Sequence, residues 1–137
     1  MALLAAGKVD VVSNAGTTTP LAQIANGVDI SIFGGHMVEG CMPIIALPDT
    51  EWNGIESFVG EKVAVNPTNF ALTGTLLNLG YDALNDVEWV ITSGYDEASI
   101  KVQQGEVKFA LQGTGQVEGC KNLEKEGKIK IVAYQSD

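Results

Sequence analysis

The stretch "GEVKFALQGTG" (residues 105–115) is a glycine, a charged residue and a valine, then an apolar run that ends in a small, polar, glycine-containing loop. "GKVDVVSNAG" (residues 7–16) has the same order near the start of the chain. Each continues into a helical stretch, a glycine and a further apolar run: "GVDISIF" after residue 26 and "GKIKIVAY" after residue 126. The spacings Gly7 to Gly27 and Gly105 to Gly127 are similar. Two copies at so long a period do not make a solenoid; they predict two related α/β lobes.

Apolar runs of strand length recur at residues 8–13, 28–34, 42–48, 61–66, 87–92, 106–112 and 128–134. Their Val, Ile and Phe content and their length favour strands over buried helix. Residues 20–26, 69–79, 96–104 and 116–126 open on polar or small residues and mostly close near a glycine. Gly27, Gly80, Gly105 and Gly127 stand where a helix C-terminus favours a residue tolerant of positive φ. This alternation predicts an α/β protein with parallel strands and crossover helices. After Pro48 the chain holds a complete β-α-β-α-β-α-β unit; before it there are three strands, about one full helix and, in "ALLAAG", the tail of another. The expected organisation is a partial first lobe over residues 1–48, cut open at a sheet edge, and a second lobe over 49–137.

With 137 residues the chain suffices for one domain with a core or two small lobes. The net charge is −9 and all eight basic residues are Lys. Nucleic acid and anionic membrane surfaces are therefore disfavoured as partners. No run approaches the roughly 20 apolar residues of a membrane span, so direct membrane insertion is not expected. The opening lacks the charge order of a secretory signal. Cys41 and Cys120 form no CxxC pair and read either as two buried thiols or as one disulfide. With one His and two scattered Cys, no zinc site is expected, and no nucleotide-binding motif or other cofactor site occurs. Trp52 and Trp89 read as packing residues.

Four loops follow apolar runs and are nearly free of charge: "SNAGTTTP" (13–20), "GGH" (34–36), "NPTN" (66–69) and "QGTGQ" (112–116). Each taken alone is an ordinary helix cap or turn. At one end of two sheets they instead converge on a cleft, because ligands of open α/β sheets sit beyond the carboxyl ends of the strands. The candidate ligand contacts are Ser13, Asn14, Gly16, Thr17, Gly35, His36, Asn66, Thr68, Asn69, Gly113 and Thr114. No catalytic residue is assigned; the acidic pair after Tyr95 reads as complementing a helix dipole. Without Arg, an anion would depend on helix N-termini, backbone N–H groups and hydroxyls. The same groups suit a neutral, hydrogen-bonding heterocycle, and both ligand classes stay open.

The order "AAGKVDVV", "PLAQIANG", "PIIALPD", "GIESFVGEKVAV", "GYDALNDVEWV" and "GEVKFAL" resembles the NMT1/THI5-like, SsuA-type substrate-binding proteins of ABC transporters, over residues 5–134. The resemblance implies a periplasmic-binding-protein type II fold, with one complete α/β lobe and part of the other. It implies hinge crossings near residues 47–50 and after 134, closure on a small polar molecule, and ligand contacts in the four loops. Relatives carry sulfonates, taurine, nitrate, bicarbonate, or pyrimidine and thiamine precursors. The implied partner is an ABC transporter permease, and the implied location is the periplasm or the outer face of the membrane. The chain is shorter than the family pattern, and an exposed sheet edge would favour a homo-oligomer. Enzymes of the same fold, of pyrimidine synthase or chorismate dehydratase type, and ligand-sensing domains of regulators are the alternatives. The pyrimidine synthases use a cysteine-rich motif that this sequence lacks.

Overall fold

The structure, a computed structural model, describes residues 1–13, 16, 18–35, 42–66 and 70–136, with nothing described for the side chains of residues 18 and 70. The chain divides into two compact units, Met1–Val38 and Glu39–Asp137.

In the first unit the described elements are two helices, α1 (Ala2–Ala5) and α2 (Thr18–Ala25). Pro20 sits in the first turn of α2, where its missing N–H costs nothing. Gly27, just past the end of α2, has φ 81°. The strands expected at 8–13 and 28–34 do not form: both stretches are extended or bent, without ladder partners. Val9, Val11, Ile32 and Phe33 are exposed, and Phe33 is 85% accessible. A strand is stable only when its N–H and C=O groups are paired and one face is covered. Neither condition is met here, so the expected open sheet edge of a first lobe has no sheet among the described residues.

The second unit carries five strands: β1 (Pro43–Ala46), β2 (Lys62–Val65), β3 (Glu88–Ile91), β4 (Phe109–Leu111) and β5 (Lys130–Tyr134). Helices α3 (Phe70–Asn78), α4 (Tyr95–Gln103) and α5 (Val117–Lys125) alternate with β2 to β5. The sheet order is β3-β2-β4-β1-β5. β2 is parallel to both β3 and β4, whereas β1 is antiparallel to β4 and β5. The all-parallel expectation fails at β1 for a local reason. The segment between β1 and β2 contains only a 3-10 turn, Ile55–Phe58, so no helix carries the chain back to the edge where β1 began.

Alternation within the strands separates two cores. Ile44, Ala46, Val63, Val65, Phe109 and Leu111 point to one face, packed with Phe58, Leu72 and Leu76. Ile45, Ala64 and Ala110 point to the other, packed with Ala98, Val102 and Cys120. Trp52 stacks edge-on to Phe58 and Phe109, with ring centroids 5.6 and 5.5 Å apart. Trp89 donates its indole N–H to the Ala83 carbonyl at 2.6 Å. Both tryptophans are packing residues, as expected. α3 lies over the first face, α4 and α5 over the second. This follows from handedness: the path from β2 to β3 runs one way along the sheet and the later steps run the other way, so right-handed crossovers fall on opposite faces.

Candidate functional site

The reversal creates a switch point. β2 and β4 are neighbours, yet the chain leaves β2 into α3 on one face and β4 into α5 on the other. Ligands of open α/β sheets bind beyond the carboxyl ends of the strands at such a point. Three of the expected contacts lie at this edge: Asn66 after β2, and Gly113 and Thr114 after β4. Asn66 is half-buried, Gly113 buried and Thr114 exposed.

The loop from β3 to α4 closes on the same place. A methyl group on Gly94 would stand 4.0 Å from Asn66 Nδ2. A methyl on Gly113 would meet Tyr95 Cε2 at 2.6 Å and Gln116 Oε1 at 2.7 Å. Gly113 is thus a glycine for want of space, since its φ of −76° suits any residue. Thr114, Gly115 and Gln116 form a 3-10 turn that leads into α5. The opening N–H groups of such a turn have no acceptor within it and face outward as donors.

Gln112 precedes Gly113. Its backbone N–H still donates to the Pro43 carbonyl at 2.8 Å, which holds it at the strand end. Its side chain is 1% accessible, and Nε2 has no hydrogen-bond partner among the described residues. Strand alternation sets it on the Ala110 face, the face that α4 and α5 cover. Gln112 and Tyr95 belong to this edge although neither was among the expected contacts. The available signal was a glutamine directly continuing a buried apolar strand.

The charges here are negative. Glu97, in the first turn of α4, accepts from the Ser93 hydroxyl at 2.6 Å and the Ser93 N–H at 2.9 Å, which ties the loop before α4 to the helix. The Ser93 hydroxyl, with the Ser93 N–H and then Lys101 adding, holds the Glu97 carboxyl below the usual carboxylate range. Asp96 and Glu118 stand in the first turns of α4 and α5.

Ser13, Gly16 and Gly35 lie in the Met1–Val38 unit, exposed and following no strand. Asn14, Thr17, His36, Thr68 and Asn69 lie outside the described residues, as does Cys41. Cys120 is a free, buried thiol that burial, with the Glu124 charge nearby, pushes up to about 11, which disfavours the thiolate. Among the described residues no group of His, Cys, Asp or Glu could hold a metal ion. No helix among them is long and apolar enough to cross a membrane.

Two hollows open elsewhere on the second unit, the first of them on the α3 face at the carboxyl-end edge of the sheet. One, of about 330 Å³, is mainly apolar, between Trp52, Ile55, Leu72 and Tyr134. The other, of about 490 Å³, lies at the amino ends of the strands. Its charges already neutralise one another, with Lys62 3.3 Å from Glu88 and Lys108 2.5 Å from Glu61.

Solved structures share this architecture. The periplasmic aliphatic sulphonate binding protein SsuA of Escherichia coli superposes with a TM-score of 0.55 at 16% identity, over 70% of this chain and 32% of that one. The fold is that of the type II periplasmic binding proteins. The alkanesulfonate-binding protein SsuA of Xanthomonas axonopodis pv. citri, bound to MOPS, gives 0.56 at 15% identity, over 71% and 33%. The periplasmic VFT2 domain of Bordetella pertussis BvgS gives 0.50 at 20%, over 71% and 40%. The chain therefore spans about a third of the length of either SsuA. No protein-family model and no curated protein matches it.

Proposed function

We propose that this chain is the ligand-gripping part of a solute-binding protein that delivers a small polar molecule to an ABC transporter permease. The switch point carries the reading: Asn66, Gly94, Tyr95, Gly113 and the turn after it bring amide, aromatic and backbone groups together. Its agreement in fold with two sulfonate-binding proteins supports a binding role in the SsuA-type, NMT1/THI5-like class. In this reading Ser13, Asn14, Gly16, Thr17, Gly35 and His36 are further ligand contacts. Thr68 and Asn69 extend the Asn66 loop, and the location is periplasmic or at the outer membrane face.

The hinge crossings belong at Met42 and Gln135. β1 and β5 are adjacent and antiparallel, Pro43 opposite Tyr134, and the Gln135 N–H donates to the Met42 carbonyl at 2.9 Å. Leu47 and Thr50 follow the other end of β1, so a crossing at 47–50 is less suitable than one at 42.

Thermal unfolding of the chain against small sulfonates, nitrate, bicarbonate, amides and pyrimidines tests this proposal. A ligand at 100 times its dissociation constant adds about 2.7 kcal/mol to stability. A reproducible rise in Tm with one compound supports binding, and turnover of that compound overturns the transport reading.

A further inference from the structure

We propose that the Glu124 carboxylate is a latch on the outer edge of β5, and that a second copy of the chain adds its own β5 there once the latch is removed. The proposal concerns self-association and is independent of any ligand.

The sheet order leaves two edge strands, β3 and β5. β5 pairs only with β1, so alternate main-chain groups along it face outward. The register shows which ones. The Gln135 N–H donates to the Met42 carbonyl at 2.9 Å, which makes that pair a hydrogen-bonded one. From there the pairs alternate, and Val132 is the extra residue at the irregularity between Ile44 and Ile45. The Ile131–Ile45 pair is accordingly one whose N–H and C=O groups face away from each other. The outward Ile131 N–H is not left open: it donates to Glu124 Oε1 at 2.8 Å.

α5 is built to place that carboxylate. Leu123 and Ile131 pack on the same face of the sheet, and the Lys128 N–H donates to the Leu123 carbonyl at 3.0 Å. The end of α5 is thereby fixed to the start of β5, and Glu124, one residue past Leu123, reaches the strand from the helix. Two further features of this edge discourage strand addition. The extra residue Val132 raises the local twist, and Lys128 and Lys130 bring charge to the amino end of the strand. Glu124 differs from both in occupying a ladder donor outright.

Without that carboxylate, "KIVAY" would present an unpaired donor and acceptor on an apolar strand, which is a template for another chain. A second β5 suits it. Paired antiparallel about Val132, the two strands set Lys130 opposite Tyr134 and Ile131 opposite Ala133, so no like charges meet.

The test compares the parent with Glu124→Ala, Glu124→Met and Glu124→Gln. Amide exchange at residues 130–134 is followed over a range of chain concentrations, with sedimentation reporting the size of the species. Glu124 is exposed, so thermal melts should show all three variants folded. In the parent the Ile131 amide should be protected to the same degree at every concentration. In dilute Glu124→Ala it should exchange about tenfold or more faster. As concentration rises, that variant should dimerise and protection should return at residues 130–134. Glu124→Met keeps the side-chain length without the acceptor and should follow Glu124→Ala. Glu124→Gln keeps an acceptor oxygen and should follow the parent. Equal exchange of the Ile131 amide in parent and Glu124→Ala overturns the proposal. So does an opened Ile131 amide with no association, or association that protects β3 or the Met1–Val38 unit and leaves 130–134 unchanged. A parent whose protection at 130–134 already rises with concentration overturns it as well.

Discussion

Two segments of similar sequence meet different fates in this molecule. In "GKVDVVSNAG" Val9 and Val11 are 36% and 57% accessible and no strand forms. In "GEVKFALQGTG" Val107 and Phe109 are 3% and 0% accessible, and β4 lies in the middle of the sheet. The local features agree. Gly7 and Gly105 have φ values of 63° and 71°, Gly27 and Gly127 of 81° and 69°, and each copy leads into a helix. What differs is company: β4 has β2 on one side, β1 on the other and covered faces above and below. Local sequence sets the turns and helices, whereas a strand needs neighbours that its own residues do not specify.

The contrast breaks most readily at Phe109. Phe109→Ala removes the ring that Trp52 and Phe58 pack against and should cost about 3–5 kcal/mol, much of a small domain's stability. Phe33→Ala should change stability by less than about 0.5 kcal/mol, because an exposed ring has little to lose. Urea melts of the two variants compare them directly, and equal losses would mean that residues 28–34 are packed after all.

A second, smaller effect sharpens the role of the strand ends. Without ligand, Gln112→Met should stabilise the fold by about 1 kcal/mol, because it removes a buried unpaired donor and keeps the volume. A loss of stability instead would show that the amide already has a partner. Gly113→Ala should act oppositely: the added methyl would displace Tyr95 and Gln116, visible as altered Tyr95 ring signals and a lower melting temperature.

The smallest expected effect concerns the start of α4, where Glu97 holds Ser93 of the preceding loop. Those bonds hold its folded carboxyl below the ordinary glutamate value of 4.5. The stabilisation it adds is therefore complete above that value and is lost as pH falls through the folded pKa. A Glu97→Gln variant should be less stable than the parent near neutral pH, and the difference should close in acid. A difference independent of pH would assign the effect to helix propensity.

Much of the second unit was legible in its sequence. The runs at 61–66, 87–92, 106–112 and 128–134 contain β2 to β5, and the glycines expected to close helices at 27, 80, 105 and 127 all have positive φ. The acidic pair of α4 sits in its first turn as expected. The direction of β1 was not legible, because it depends on whether the connection at 47–61 forms a helix or merely crosses the face. Nor was Gln112, since a polar residue ending a strand is ordinary until its burial is known. The site residues of the first unit rested on strands at 8–13 and 28–34, whose pairing lies beyond the reach of local pattern.

The place of β1 in the sheet also has a consequence for synthesis of the protein. β1 pairs with β4 and β5, and β5 leaves the ribosome about ninety residues after β1. At 5–20 residues per second, "PIIA" waits roughly 5–20 s for its second neighbour. Through that interval a short apolar segment has no finished sheet to enter, while β2 and β3 can already pair around α3. The nascent chain is therefore most exposed to aggregation late in translation, and the earliest-made strand of the sheet is among the last to be secured.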